Sequence, residues 1–293
     1  MYKFIFFLFG LMTFLVSCQN DNEESTDTDR RIAVRFGGVE TRATDTRFES
    51  GDTISIFAVN RYSKSDSLCK TGNYADNYQY KYVEHTDSGF VACNKHIYQF
   101  KNKKLDLVYY ALYPYRESYG PTFSFKVKLN QSYGNNYTRS DLAFQRTEST
   151  DTIVALKLDH LLANIHISLT GTDLNQKDIS VSLLNIYTKV NVDLNRNRVA
   201  TDTTDIASKA SEVVCKQGSK TNSSCDFYAI VAPQLFEQGK RYLSITIDGE
   251  TTYLNVPTTR VVSRGRCLTQ NYMLTTDIKS GDVSVSFVGE EQE

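Results

Sequence analysis

One run of the chain has no solvent face. From Leu105 to Tyr113, Leu105, Leu107, Tyr109, Ala111 and Tyr113 fall on one side of an extended backbone, and Val108, Tyr110 and Leu112 on the other. Strand side chains alternate between faces, so this stretch needs packing on both and belongs in the middle of a sheet. Pro114 closes it. The next run differs: Phe123, Phe125, Val127 and Leu129 share one face while Lys126 and Lys128 share the other, which predicts a half-buried strand. The same period of two recurs at Ile32/Val34/Phe36, at Ile54/Ile56/Ala58 after the Gly51-Asp52 turn signal, at Ile165/Ile167/Leu169 and at Val181/Leu183. Phe227 to Val231 is a strand closed by Pro233. Tyr242–Ile247 and Tyr253–Val256 flank Asp248-Gly249, a pair suited to a type I′ hairpin turn. Asn271–Leu274 and Val283–Phe287 are the last strands. Arg61 to Gly89 reads as long loops with a hairpin around Tyr78 to Val83. One stretch has helical spacing, Ile206, Ala210, Val213 and Val214, with Asp205 as N-cap and Gly218 as the stop, and predicts a helix.

The composition agrees with strands: 19 Tyr and 16 Phe accompany abundant Thr, Val and Ile. The fold class read from these patterns is all-β, with two β-sandwiches in series. The chain turns polar around Thr147 to Thr150, which sets the domains at 31–149 and 150–293.

The N-terminus is of another kind. After Lys3, Phe4 to Val16 is almost unbroken hydrocarbon and then stops at polar residues. It is too short for a comfortable membrane span and has the shape of a secretory signal peptide, residues 1–17. Its end, Leu15-Val16-Ser17-Cys18, resembles a bacterial lipobox, in which the cysteine carries diacylglycerol and becomes the new N-terminus. Cys18 is therefore the expected lipidation site and outer-membrane lipid an expected partner. Each buried acyl CH₂ contributes roughly 0.8 kcal/mol, and several chains hold a protein at a membrane almost permanently. Residues 18–30 are polar and acidic and cannot bury enough surface to fold, so they read as a tether. An acidic stretch after a lipidated cysteine also resembles a surface-export signal, which implies the outer membrane, facing outward.

Several chemistries find no support. With 33 basic against 34 acidic residues the net charge is −1, so no field draws in nucleic acid. Gly-x-Ser-x-Gly, a phosphate-binding loop, His-Glu-x-x-His and an EF-hand loop are missing, no cofactor motif is present, and the carboxylates form no acid/base couple. The expectation is a protein that is not an enzyme, with no catalytic, cofactor-binding or metal-ligating residues. His160 and His166 would share a face on one continuous strand, but Asp159-His160 turns out of regular strand first. Besides Cys18 there are Cys69, Cys93, Cys215, Cys225 and Cys267, an odd number with no Cys-x-x-Cys pair; Cys215 with Cys225 is the nearest candidate disulfide. Tyr-rich loops (Tyr74, Tyr78, Tyr80, Tyr82; Tyr133, Tyr137) offer contact area for a glycan or host protein, or else form sandwich rims.

A series of short motifs carries a resemblance. These are Thr41-Arg42-Ala43-Thr44 before Gly51–Phe57, Val108–Pro114, Ser140-Asp141-Leu142, Leu156–His160 with Leu162-Ala163-Asn164, Ala232-Pro233-Gln234, and Ile247-Asp248-Gly249 with Tyr253. Their order, together with the lipobox, resembles the fimbrillin family of two-domain lipoprotein pilins. The resemblance implies transthyretin-like β-sandwiches and a structural or adhesive role in fimbriae, as stalk, tip or anchor. It also implies assembly by strand exchange. A protease would cut after Arg42 or Arg47 and remove the strand Ile32–Phe36, and a strand such as Val283–Val288 of another subunit would fill the vacated groove. The alternative is a surface lipoprotein that binds glycan or host protein without polymerising.

Overall fold

The computed structural model describes residues 30–37, 48–62, 66–84, 89–276 and 283–293. Cys18, Arg42 and Arg47, the expected lipidation and cleavage residues, lie outside the described residues, as do the signal peptide, all of the tether before Arg30, and the Thr41–Thr44 motif.

The run with two apolar faces lies where its pattern demands. Leu107–Tyr113 is buried along its whole length and pairs antiparallel with Thr53–Asn60 on one side and Ala143–Ser149 on the other. These are the middle of an eight-stranded sheet, which runs in space Ile153–Ala155, Arg35–Gly37, Phe90–Ala92, Ala75–Tyr82, Thr53–Asn60, Leu107–Tyr113, Ala143–Ser149, Asp159–His160. Leu107, Tyr109 and Ala111 join Ile54, Ile56, Phe36 and Tyr80 in one core. Val108, Tyr110 and Leu112 join Phe57 and Val59 in a second core on the opposite face.

That second core is shared along the chain. Thr122–Lys126 pairs not with its sequence neighbours but with Lys189–Asp193, which pairs in turn with Arg198–Thr201. Phe125, Val190 and Val192 from this small sheet pack onto the large one, together with Leu161, Leu162, Ile230 and Ala232. Sheet pairing also continues past residue 149. Ile153–Ala155 lies parallel to Arg35–Gly37, and Asp159–His160 pairs with Phe144 and Ala143.

The third core fills the C-terminal sandwich. One sheet runs Lys216–Lys220, Ser224–Val231, Ala163–Thr170, Cys267–Thr276, Val283–Gln292; the other runs Lys209–Val214, Ile179–Tyr187, Arg241–Ile247, Glu250–Asn255. Ile165, Ile167 and Leu169 face Val181, Leu183, Leu243 and Ile245 between them. The Asp248-Gly249 hairpin forms as its residues require, both at positive φ (51° and 94°), the conformation of a type I′ turn.

Two expectations are corrected. Ile206–Gln217 is not a helix: a single 3₁₀ turn, Ile206–Ser208, leads into the strand Lys209–Val214. Asp205 does cap, its carboxylate accepting from the Ala207 N–H at 2.9 Å, but only that turn. Ile206 is 92% exposed, so the apolar stripe that suggested a helix is not a buried face. The β-branched pair Val213-Val214 suits the ladder with Leu183 and Ser182 instead. Nor are Cys215 and Cys225 bonded. The Cys215 N–H bonds to Val181 of one sheet, while Cys225 sits opposite Leu169 in the other. All five described cysteines are free thiols, and burial pushes the Cys215 thiol up to about 12.

Candidate functional site

The two segments singled out for exchange both pair within this one molecule, by different means. At the N-terminal side, Arg31–Ala33 pairs with Tyr98–Phe100, and Arg35–Gly37 enters the eight-stranded sheet between Phe90–Ala92 and Ile153–Ala155. Val34 and Phe36 are buried, and Phe36 meets the rings of Tyr80 and Tyr109 edge to face, at 4.9 and 5.5 Å between centroids. Backbone bonds from Val34 to Ile97 and from Arg35 to Thr152, both 2.8 Å, complete the docking. This segment plugs the core through its side chains.

The C-terminal strand, Val283–Gln292, lies on the rim. Among the described residues it pairs only with Cys267–Thr276, as the edge of the five-stranded sheet, and a bulge opposite Asn271/Tyr272 interrupts its register. Val283 and Val285 pack partly on the core, whereas Phe287 and Val288 are 39% and 59% exposed. The strand thus buries little apolar surface.

A polar chain holds it instead. Glu290 turns inward, its side chain 6% exposed. One carboxylate oxygen accepts from Arg260 Nε at 2.6 Å and the other from Gln270 Nε2 at 2.9 Å. Gln270 is buried, and its amide oxygen accepts from the Tyr242 hydroxyl, which also bonds the Tyr272 hydroxyl. Every donor in the series points toward the carboxylate, so the bonds polarise one another in the same sense. Burial, with the neighbouring Tyr272 and Glu290 charges, pushes the Tyr242 phenol far above its ordinary value; burial chiefly pushes Tyr272 up to about 12. As sequence, Gly289–Glu293 is only a short acidic stretch. The missed signal is tertiary, because Gln270 stands beside Glu290 only once the two strands are in register.

The other residues considered take structural places. His160 Nδ1 lies 2.7 Å from Asp141 Oδ1, both side chains buried. Burial acts to lower the His160 pKa, but the hydrogen bond and charge of Asp141, with Asp159, outweigh it and leave the value raised. His166 is elsewhere, stacked on Tyr228 at 4.5 Å and 3.0 Å from Asp226. The two histidines therefore do not meet. Among the described residues no group of three His, Cys, Asp or Glu side chains is placed to hold a metal. The tyrosine stretches do not form one binding surface. Tyr80 and Tyr137 are buried, Tyr74, Tyr78 and Tyr82 pack against the first core, and only Tyr133 stands out at 75% exposed.

A family model described as fimbrillin-like matches residues 41–287. The fold is similar to that of a candidate cell adhesion protein from Bacteroides uniformis ATCC 8492, at 21% identity and a TM-score of 0.63, covering 90% of this chain and 97% of that one. It is likewise similar to a candidate cell adhesion protein from Bacteroides ovatus ATCC 8483, at 14% identity and a TM-score of 0.64, covering 88% and 96%. Identities this low carry the fold and nothing finer. No curated protein matches the sequence.

Proposed function

Because this chain belongs to the fimbrillin-like family, we propose that it is a structural or adhesive fimbrial subunit, moored to the outer membrane through a lipidated Cys18 and joined to other subunits by strand exchange. The observation that carries the exchange is the C-terminal strand. Among the described residues it has a sheet partner on one side only, buries little apolar surface, and is held by that one ladder and by side-chain bonds to Glu290. Such a strand can leave without opening the core, and its alternating Val283, Val285 and Phe287 could enter the groove of a neighbour while main-chain bonds reform there. On this reading Arg31–Gly37 is what vacates the groove, removed by a cut after Arg42 or Arg47. Val34 and Phe36 mark the depth of the slot left behind.

Mooring and assembly are tested separately. Labelled palmitate should enter the protein and fail to enter Cys18→Ala; unlabelled wild-type protein would remove the anchor. In sheared surface fractions the chain should appear within polymers or beside a major pilin. Deleting residues 283–293 should leave the protein at the membrane and absent from the polymer. Equal incorporation of the truncated chain would remove the exchange. A subunit of this kind does its work by contact, and the binding partners proposed for it are other subunits and host protein or glycan.

A further inference from the structure

One small element stands apart from the larger sheets. Arg31–Ala33 and Tyr98–Phe100 form a two-stranded ribbon of their own, at the point where the described chain begins. One end of it gathers exposed cations: Arg30 and Arg31 on one strand, and Lys101, Lys103 and Lys104 just after the other. The Lys101 N–H bonds to the Arg30 carbonyl at 3.1 Å and Arg31 lies over the Phe100 ring, so the two groups share that end. Asp151 answers Lys104 at 3.3 Å, and between Asp87 and Asp106 the sequence carries no carboxylate. Apolar side chains stand among these charges. Ile32, Phe100, Lys101, Lys104 and Ile153 line one hollow of about 420 Å³, and Ile32 and Ile153 are 37% and 66% exposed.

Charge alone names no partner, since exposed lysines and arginines occur elsewhere on the molecule. The place of this end in the chain is the second observation. Residues 19–29 separate Cys18 from Arg30, at most about 40 Å of chain. On the reading that Cys18 is lipidated, on which this inference rests, the ribbon end is the part of the molecule held beside the membrane. An anionic lipid surface answers both of its features. Headgroup phosphates meet the cations, and the isoleucines enter the interface between them. An acidic peptide answers only the first. The chain's own residues 19–29 carry five carboxylates and no apolar side chain for Ile32 and Ile153 to meet. We propose that, before any cut at Arg42 or Arg47, the ribbon end docks the lipidated chain onto an anionic membrane surface, with Ile32 and Ile153 seated among the headgroups.

The test is flotation of the mature chain, residues 18–293 with Cys18→Ser so that no acyl chain contributes, with vesicles of equal parts phosphatidylglycerol and phosphatidylcholine. Phosphatidylcholine vesicles are the comparison. The chain should float with the anionic vesicles and not with the neutral ones. Lys101→Gln/Lys103→Gln/Lys104→Gln should weaken binding at least about tenfold, given about fivefold for each cation near an anionic surface. Lys70→Gln/Lys128→Gln/Lys240→Gln removes the same net charge from exposed sites elsewhere and should leave binding within about twofold. Ile32→Ser/Ile153→Ser should weaken it severalfold, which charge alone does not predict. Unchanged melting temperatures show that the variants fold. Equal binding to neutral vesicles, equal losses in the two lysine variants, indifference to the isoleucine substitutions, or no binding would each overturn the proposal. Binding that appears only when residues 19–29 are deleted would also overturn it, by giving the ribbon to the chain's own acidic segment. The protein tested carries no lipid, so this result and palmitate labelling of Cys18 can each fail without the other.

Discussion

At the scale of single residues, two carboxylates determine how the chain is held. Truncating Glu290 to alanine strands the Gln270 amide and should cost about 1–3 kcal/mol, read as a lower urea midpoint at unchanged m-value. Arg260→Ala should cost less, within about 1 kcal/mol, because its side chain is 49% exposed and solvent screens the pair. Equal losses from both would contradict the view that the bond within the sheet dominates. The second carboxylate is Asp141. It holds His160 above its ordinary pKa of 6.5, against the pull of burial, so the folded protein keeps that proton more tightly than the unfolded chain. The stability from this pair is complete below pH 6.5 and is lost as pH rises through the raised folded value. His160→Gln should flatten that part of a stability–pH curve, and an identical fall in both proteins would exclude the pair as its source. Neither contact is legible locally. Glu290 is one of three glutamates in the short stretch Gly289–Glu293, with nothing local to single it out, and Asp141 and His160 meet only because Ala143–Ser149 and Asp159–His160 are paired.

At the scale of elements, the two-faced strand is the test piece. Leu112→Ala, at a fully buried site, should cost about 2–5 kcal/mol, while Leu129→Ala, 44% exposed on the neighbouring run, should fall within about 0.5 kcal/mol. Similar midpoints for the two variants would mean that the core is not where the structure puts it. The elements most legible in the sequence were those whose side-chain pattern leaves one solution. Leu107–Tyr113 has no face for water, and Asp248-Gly249 has backbone angles that few other pairs accept. Lys209–Val214 was misread because spacing in a short apolar run does not separate helix from strand. A ladder with Ile179–Tyr187, set by the tertiary fold, decided it. The partner of Thr122–Lys126 was likewise hidden. Its alternation announces a strand but carries no sign that Lys189–Asp193, far along the chain, completes the sheet.

At the scale of the molecule, the core shared by Val108, Phe125, Val192 and Ile230 ties the large sheet to residues far beyond it. Tyrosine absorbance and far-ultraviolet dichroism should therefore follow one unfolding transition, and two separated transitions would show that the halves are independent. A firm body with one edge strand that buries few apolar side chains suits the proposed exchange of strands between subunits. The direct test is to fix that strand at home. Thr275 and Ser284 stand opposite each other in the last ladder, with hydroxyls 2.6 Å apart, so cysteines at both sites can be joined by a disulfide. In a background where Cys69 and Cys93 are serine, the oxidised Thr275→Cys/Ser284→Cys protein should stay out of assembled fimbriae and enter them once reduced. Assembly of the oxidised protein at the wild-type level would contradict the account.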